Sequence, residues 1–230
     1  MSVATEIQRL QTAKADIKTA IENKGVQVPS NALLSTYNIY INQIVTGGGG
    51  GSSDLGAFID RSITSVTIPT NITTIGDYAF SSCHGLTSIV IPSNITSIGN
   101  RAFGDCSGLT SVTIPNTVTT IDRYAFYFCT SLTSVAIPNS VTTIGYSAFQ
   151  SCEDMTTVTI GNGVTTIGNL AFQNCTSLTS FTITATTPPT LGSSALGYTY
   201  PIYVPSGSVE AYKTASGWST YASQIQAIPA

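Results

Sequence analysis

Apolar and polar positions recur along residues 63–177 with one fixed beat of 23 residues. The copies run Ile63 to Gly85, Leu86 to Gly108, Leu109 to Ser131, Leu132 to Asp154 and Met155 to Ser177, and a sixth starts at Leu178 and decays after Thr184. Positions 1, 4 and 6 of a copy are apolar (Leu109, Val112 and Ile114 in the third), set in a β-branched stretch rich in Thr and Ser. That alternation predicts a short strand with one buried face. Pro69, Pro92, Pro115 and Pro138 at position 7 lack an N–H and end the strand. A second apolar pair at positions 10 and 13, Val118 and Ile121 in the third copy, predicts a second short strand. Gly76, Gly99, Gly145 and Gly168 at position 14 predict a bend at positive φ, with Asp122 as a tolerated substitute. Ala125, Phe126 and Cys129 mark the inward positions of a turn or short helix that closes the coil.

A fixed period of this length predicts stacked supersecondary units, none stable alone. The fold class is therefore a β-rich solenoid, preceded by an N-terminal α-helical module. Phe80, Phe103, Phe126, Phe149 and Phe172 should stack into an internal aromatic ladder. Cys83, Cys106, Cys129, Cys152 and Cys175 repeat in phase and read first as a buried, reduced ladder. Disulfides are the second reading, since neighbouring rungs bring Cα atoms within bonding range, yet an odd set of in-phase positions is no pairing framework. Zinc is the weakest reading: a linear ladder is not tetrahedral, and the sole histidine, His84, has no ligand at metal spacing and is expected to be solvated. No metal and no cofactor is expected.

The two ends break the pattern. Residues 5–24 read as a helix with Ile7, Leu10, Ile17 and Ile21 on one stripe and Gly25 as its stop. Ser30 can cap a second helix that carries Leu34, Tyr37, Ile41 and Ile44 on one face. Each is too short to persist alone in water, so residues 1–46 form either a hairpin cap or an attachment and oligomerisation module. Residues 47–53 are a Gly/Ser linker spanning about 15 Å, and a flexible joint favours the separate module. The solenoid is assigned to residues 54–200 and a cap to residues 201–230. In that cap Ile202 to Pro205 supplies a last strand, Ser208 to Ala215 a short helix, and Val209, Tyr212, Trp218, Tyr221, Ile225 and Ile228 cover the end of the apolar column.

Only 8% of residues are charged, far below the usual quarter, and the formal net charge is −3. No basic patch is present, which argues against nucleic acid as a partner. The lack of a leader, a lipidation signal and a long apolar run predicts a soluble chain with no membrane insertion and no export address. GxSxG and HExxH are missing, and Gly47 to Gly51 lacks the Lys-Ser/Thr of a P-loop. The chain is expected to bind, not to catalyse.

Aligning the copies on one another separates constant from variable positions. Positions 2, 3 and 5 are almost always Thr or Ser, whereas positions 15, 16, 19 and 20 change in every copy. The variable set includes Tyr78, Arg101, Arg123, Tyr124, Tyr127, Phe128 and Tyr146, residue types enriched in binding hot spots. These seven are the candidate ligand-binding residues. Relaxed constraint on a surface edge would give the same variability.

The unit L-T-S-V-x-I-P-x-x-V-T-T-I-G-x-x-A-F-x-x-C over residues 63–184, with the following Ile202 to Ile228, closely resembles the BspA-type leucine-rich repeat. That resemblance implies a bacterial, notably gut-bacterial, surface adhesin. The first 46 residues resemble the N-terminal segment of gut bacteriophage and prophage virion proteins, through IQRLQTAKADIKTAIENKGVQVP and the NQIV that precedes the glycine tract. This second resemblance implies a tail- or head-fibre-like protein made in the bacterial cytoplasm and localised to the virion. It would be a homo-oligomer, with a trimer favoured. Other virion proteins would be held through residues 1–46, and a host-surface protein or glycan through the solenoid. The alternative location is the bacterial cell surface.

Overall fold

In each copy, every other side chain of the first strand turns inward, and the computed structural model shows why the 23-residue beat matters. It describes Ala15, Lys18, Thr19, residues 63–66, Ile68, residues 72–197 and residues 200–229. The helices expected before residue 47, with Ile7, Leu10, Ile17, Ile21, Leu34, Tyr37, Ile41 and Ile44, and the linker after them lie outside the described residues. Within that stretch Ala15, Lys18 and Thr19 are helical, and the Thr19 hydroxyl donates to the Ala15 carbonyl at 2.9 Å.

Among the described residues thirteen strands follow in chain order. The first-strand set is β2 (Ser88–Val90), β4 (Ser111–Thr113), β6 (Ser134–Ile137), β8 (Thr157–Ile160), β10 (Ser180–Ile183), β12 (Ile202–Val204) and β13 (Ile225–Ala227). The second-strand set is β1 (Thr74–Ile75), β3 (Ser97–Ile98), β5 (Thr120–Ile121), β7 (Thr143–Ile144), β9 (Thr166–Ile167) and β11 (Thr190–Leu191). The second set forms one parallel sheet in the order β1-β3-β5-β7-β9-β11. The first forms β13-β12-β10-β8-β6, continued by the pair β2-β4, with β4 lying against β6. Registers such as Ser134↔Thr157 and Thr74↔Ser97 place each residue on its own counterpart one copy away.

Hydroxyls tie the rungs together beyond the strands. The N–H and the hydroxyl of Thr110, Thr133, Thr156 and Thr179 each address the carbonyl of the threonine one rung earlier, the hydroxyls at 3.0–3.3 Å. Thr96, Thr119, Thr142 and Thr165 build a second column in the same way. This explains the constant Thr at positions 2 and 11: it doubles the bonds to carbonyls at the strand edge.

Inside, Phe80, Phe103, Phe126, Phe149 and Phe172 stack at 5.1–5.2 Å with planes within 10°. All five cysteines are buried, and none is in a disulfide. The thiols of Cys106, Cys129, Cys152 and Cys175 donate to the carbonyls of Phe80, Phe103, Phe126 and Phe149 at 3.0–3.3 Å. Burial pushes the Cys106, Cys129 and Cys152 thiols far above the ordinary range, so no reactive thiolate forms there.

The glycines at position 14 differ from expectation. None is at positive φ; among described residues only Gly217 is a glycine there. They are needed for close stacking instead: a Cβ on Gly145 would lie 2.5 Å from the Arg123 nitrogen, and one on Gly168 2.7 Å from that of Tyr146. Asp122 therefore does not fill a left-handed bend, and its effect is on its neighbours. In the first and fifth copies the side-chain oxygen at position 15 accepts the backbone N–H one rung on, Asp77 from Asn100 and Asn169 from Ser193, both at 2.9 Å. In the third copy the Asp122 carboxylate takes the Arg123 N–H itself, at 2.6 Å. The Asn100 Oδ1 is left buried with no partner.

The sixth copy does not decay after Thr184. It closes with one extra residue, pairing Thr190 with Thr166 and seating Leu191 against Ile167. The cap is not a separate lid either, for β12 and β13 prolong the sheet with a 23-residue offset, Ile202↔Ile225. Between them the helix α1 (Val209–Thr214) replaces the second strand. Trp218 and Tyr212 meet edge to face at 4.9 Å; the indole N–H donates to the Pro189 carbonyl at 2.7 Å and the Tyr212 hydroxyl to that of Ala185 at 2.9 Å. Ile228, expected in the cover, is exposed instead.

Three stability outcomes follow from this packing. Ellman's reagent at pH 8 should find no reactive thiol in the native protein and all five after denaturation. Phe126→Ala should destabilise by about 3–5 kcal/mol in a denaturant titration, because it empties the middle of the ladder. Asp122→Gly should raise stability by about 1 kcal/mol, by letting the Asn100 oxygen receive the Arg123 N–H; an unchanged midpoint would remove that account.

Candidate functional site

Positions 15 to 21 of each copy form a third wall, built from turns. Positions 16 and 20 are left-handed in every complete copy: Tyr78 and Ser82, Arg101 and Asp105, Tyr124 and Phe128, Ser147 and Ser151, Leu170 and Asn174. This conformation is uncommon for residues other than glycine. It aims alternate N–H groups forward along the axis, so that Tyr124, Phe126 and Phe128 donate to the carbonyls of Tyr146, Ala148 and Gln150 at 2.8, 2.7 and 2.9 Å. The backbone is thereby satisfied without a strand. Positions 17, 18 and 21 point into the core, and positions 15, 16, 19 and 20 lie on the outer side, where Asn100, Gly104, Ser147 and Ser151 are nevertheless buried by their neighbours.

Five of the seven candidate residues are in mutual contact on this wall. The Arg101 guanidinium lies 4.4 Å from the Tyr124 ring centroid and 5.3 Å from that of Tyr127. Tyr124 meets Tyr127 at 5.5 Å and Tyr146 at 5.2 Å, both edge-on, and Tyr127 tilts against Phe128 at 5.4 Å. Phe128 and Tyr146 are exposed, while Arg101, Tyr124 and Tyr127 are half-buried beneath them. Arg123 is exposed on the same rung as Tyr124. Tyr78 stands one rung beyond Arg101 in its column, exposed, and makes no ring contact with the group. The Tyr124 phenol is pushed up, first by desolvation and then by the Tyr146 phenol, with Arg101 pulling the other way.

His84 is exposed, as expected, and it also has neighbours across the stack. Its Nδ1 lies 3.3 Å from the Ser107 hydroxyl, the same position one rung on, and its Nε2 lies 3.9 Å from the Asp105 carboxylate. The 23-residue offset between His84 and Ser107 was the available signal. At 3.9 Å the Asp105 contact is too long for a hydrogen bond. The strand face is tiled by small hydroxyl side chains, Ser88, Ser111, Thr113, Ser134, Thr157 and Thr159, interrupted by exposed Val90. Among the described residues there is no group of three metal-ligating side chains, and no helix is long and apolar enough to cross a membrane.

A comparison with curated protein sequences finds no match. Solved structures do match. The chain is 30% identical to the T. pallidum leucine-rich repeat protein, with a TM-score of 0.51, over 53% of this chain and 59% of that one. It is 34% identical to a leucine-rich cell surface protein from Faecalibacterium prausnitzii, with a TM-score of 0.51, over 53% of this chain and 32% of the other. The pneumococcal vaccine antigen PcpA shares the fold at 20% identity and a TM-score of 0.56, over 72% of this chain and 40% of that one. In each case less than two thirds of the other chain's length is covered. The family model for the BspA-type leucine-rich repeat region matches residues 54–179 in six copies. With the period, the two parallel sheets and these neighbours in agreement, the chain belongs to the BspA-type leucine-rich repeat family.

Proposed function

We propose that the protein is a non-catalytic adhesion protein whose solenoid binds a surface ligand through the turn wall of rungs two to four. The observation that carries this is the contact group Arg101, Tyr124, Tyr127, Phe128 and Tyr146. Elsewhere on the same wall most of these positions hold small, acidic or amide side chains, such as Ser147, Ser151, Gln173 and Asn174, with Tyr78 and Leu170 as the large exceptions. Nothing in the stacking requires large rings at positions 15, 16, 19 and 20, since copies without them keep the same backbone bonds. Tyr and Arg are also the types that dominate contact energies at interfaces.

Residues 1–46 would attach this binding arm to a carrier. Their resemblance to phage virion segments supports a tail- or head-fibre-like protein, made in the bacterial cytoplasm, trimeric, and docked on other virion proteins. A second reading has the same solenoid displayed on a bacterial cell as an adhesin. The likeness to a protein described as a cell surface protein favours it equally. Presence of the chain in purified virions supports the first reading, and its presence on intact cells that carry no phage genes supports the second.

Replacing Tyr127 and Phe128 together with Ser should weaken binding to host or mucosal surfaces at least tenfold, about 1.4 kcal/mol, with the melting temperature nearly unchanged. Unaltered binding would remove the turn wall as the site. Light scattering should find an oligomer, and changing Ile7, Leu10, Ile17 and Ile21 to Ser should return a monomer. A full-length chain already monomeric at micromolar concentration would end the attachment proposal.

A further inference from the structure

Across residues 63–201, which hold the five cysteine-bearing copies and the sixth rung, the only Lys or Arg residues are Arg101 and Arg123. They occupy adjacent rungs, at positions 16 and 15, and both stand beside the aromatic group. In a chain with a formal net charge of −3 this pairing of cations is a local exception. Neither guanidinium has a carboxylate within ion-pair distance or a side-chain hydrogen bond among the described residues, where the ion pairs are His84–Asp105 and Lys213–Glu210. The carboxylates nearby are engaged: Asp122 accepts the Arg123 backbone N–H, Asp77 accepts that of Asn100, and Asp105 faces His84. Arg101 is also held in place, its plane supported by Tyr124 and Tyr127 at 4.4 and 5.3 Å. A supported guanidinium with unused donors is suited to a carboxylate, which it can meet through two parallel N–H bonds.

The rest of the wall favours a sugar polymer as the bearer of that carboxylate. Exposed Phe128 and Tyr146 offer apolar ring surface on the rung of Arg123 and on the next one. Further along, Asn169 and Asn174 are exposed, and Gln150 donates to Gln173 at 2.9 Å, a run of amides able to exchange hydrogen bonds with ring hydroxyls. Rungs advance by about 4.8 Å, whereas an extended peptide advances about 3.3 Å per residue with successive side chains on opposite faces, so it offers the same face in register only about every fourth rung. One pyranose unit is close to one rung in length, so a glycan laid along the axis meets equivalent positions repeatedly.

We infer that the turn wall formed by Arg101, Arg123, Tyr124, Tyr127, Phe128 and Tyr146 is a binding site for a carboxylated glycan. Its acidic groups pair with the two arginines, and its sugar rings lie against Phe128 and Tyr146. This rests on the turn wall being the binding surface, as proposed above, and adds the class of ligand and the role of each side chain.

The test is titration calorimetry of the full chain with polygalacturonate, with the same polymer methyl-esterified to remove its charge, with dextran sulfate and with polyglutamate. Polygalacturonate should bind, and esterification should lower affinity at least tenfold. Arg123→Gln and Arg101→Gln should each do the same, Tyr146→Ser should weaken binding severalfold, and Arg101→Lys should restore only part of it. The Arg123 side chain is exposed and makes no hydrogen bond, ion pair or ring contact among the described residues, so its variant should melt with the parent protein. Equal binding of the ester, or indifference to both arginine variants, overturns the inference. So does binding of dextran sulfate or polyglutamate as tight as that of polygalacturonate. If no polysaccharide binds while Tyr127→Ser with Phe128→Ser still abolishes surface attachment, the glycan inference falls and the turn wall remains the adhesive surface. If that double variant also has no effect, both fall.

Discussion

Everything in this solenoid depends on each residue lying directly on its counterpart one copy away. A single register, kept over the cysteine-bearing copies, sets like on like: Phe on Phe at 5.1–5.2 Å, Thr hydroxyl on Thr carbonyl, thiol on the carbonyl of the preceding phenylalanine. No copy can bury its own apolar face, since a single rung has neighbours only above and below. Stacking also explains the uniform small residues. Where two backbones meet closely, as at Gly145 over Arg123, a side-chain atom would collide, and the position is kept free of one.

The turn wall solves a different problem. A coil of short strands must reverse direction at each corner without leaving backbone N–H groups unpaired in the core. Left-handed residues at positions 16 and 20 do this by turning every second N–H toward the next rung. Because the backbone alone satisfies those bonds, the side chains there are relieved of structural duty. Tyr, Arg, Leu, Asp, Phe, Asn and Ser all occur at these two positions. That freedom is what allows one wall of an otherwise monotonous protein to carry individual chemistry, and the third copy uses it most heavily.

The third copy is also where the stacking is least regular. Asp122 interrupts the side-chain to backbone bond that links Asp77 to Asn100 and Asn169 to Ser193, and Asn100 is left with a buried oxygen unpaired. The irregular rung and the aromatic, cationic rung are the same one. Local loss of a stacking bond beside a group of exposed rings is the pattern expected where recognition has displaced packing.

Much of this was legible in the residues. Period, strand pair, phenylalanine ladder and reduced thiols all follow from apolar spacing, because a stacked coil maps sequence offset straight onto distance. The seven candidate residues were found by comparing copies, and five of them do meet. What escaped was anything that depends on backbone direction between rungs. Gly99 and Gly145 read as left-handed bends, yet the left-handed residues are Arg101, Tyr124 and their equivalents, which no propensity would select. His84 read as solvated and is exposed, but its contact with Ser107 escaped because the two adjoin only across the stack. The sixth copy read as broken because Pro188 and Pro189 hide a rung that one inserted residue restores. The repeat alone sets the architecture, since it dictates which side chains must be buried together. That Arg101 rests on Tyr124 and Tyr127, and that the cap is one more turn of the sheet, follows only from the folded stack, for both depend on contacts between rungs whose geometry no single copy contains.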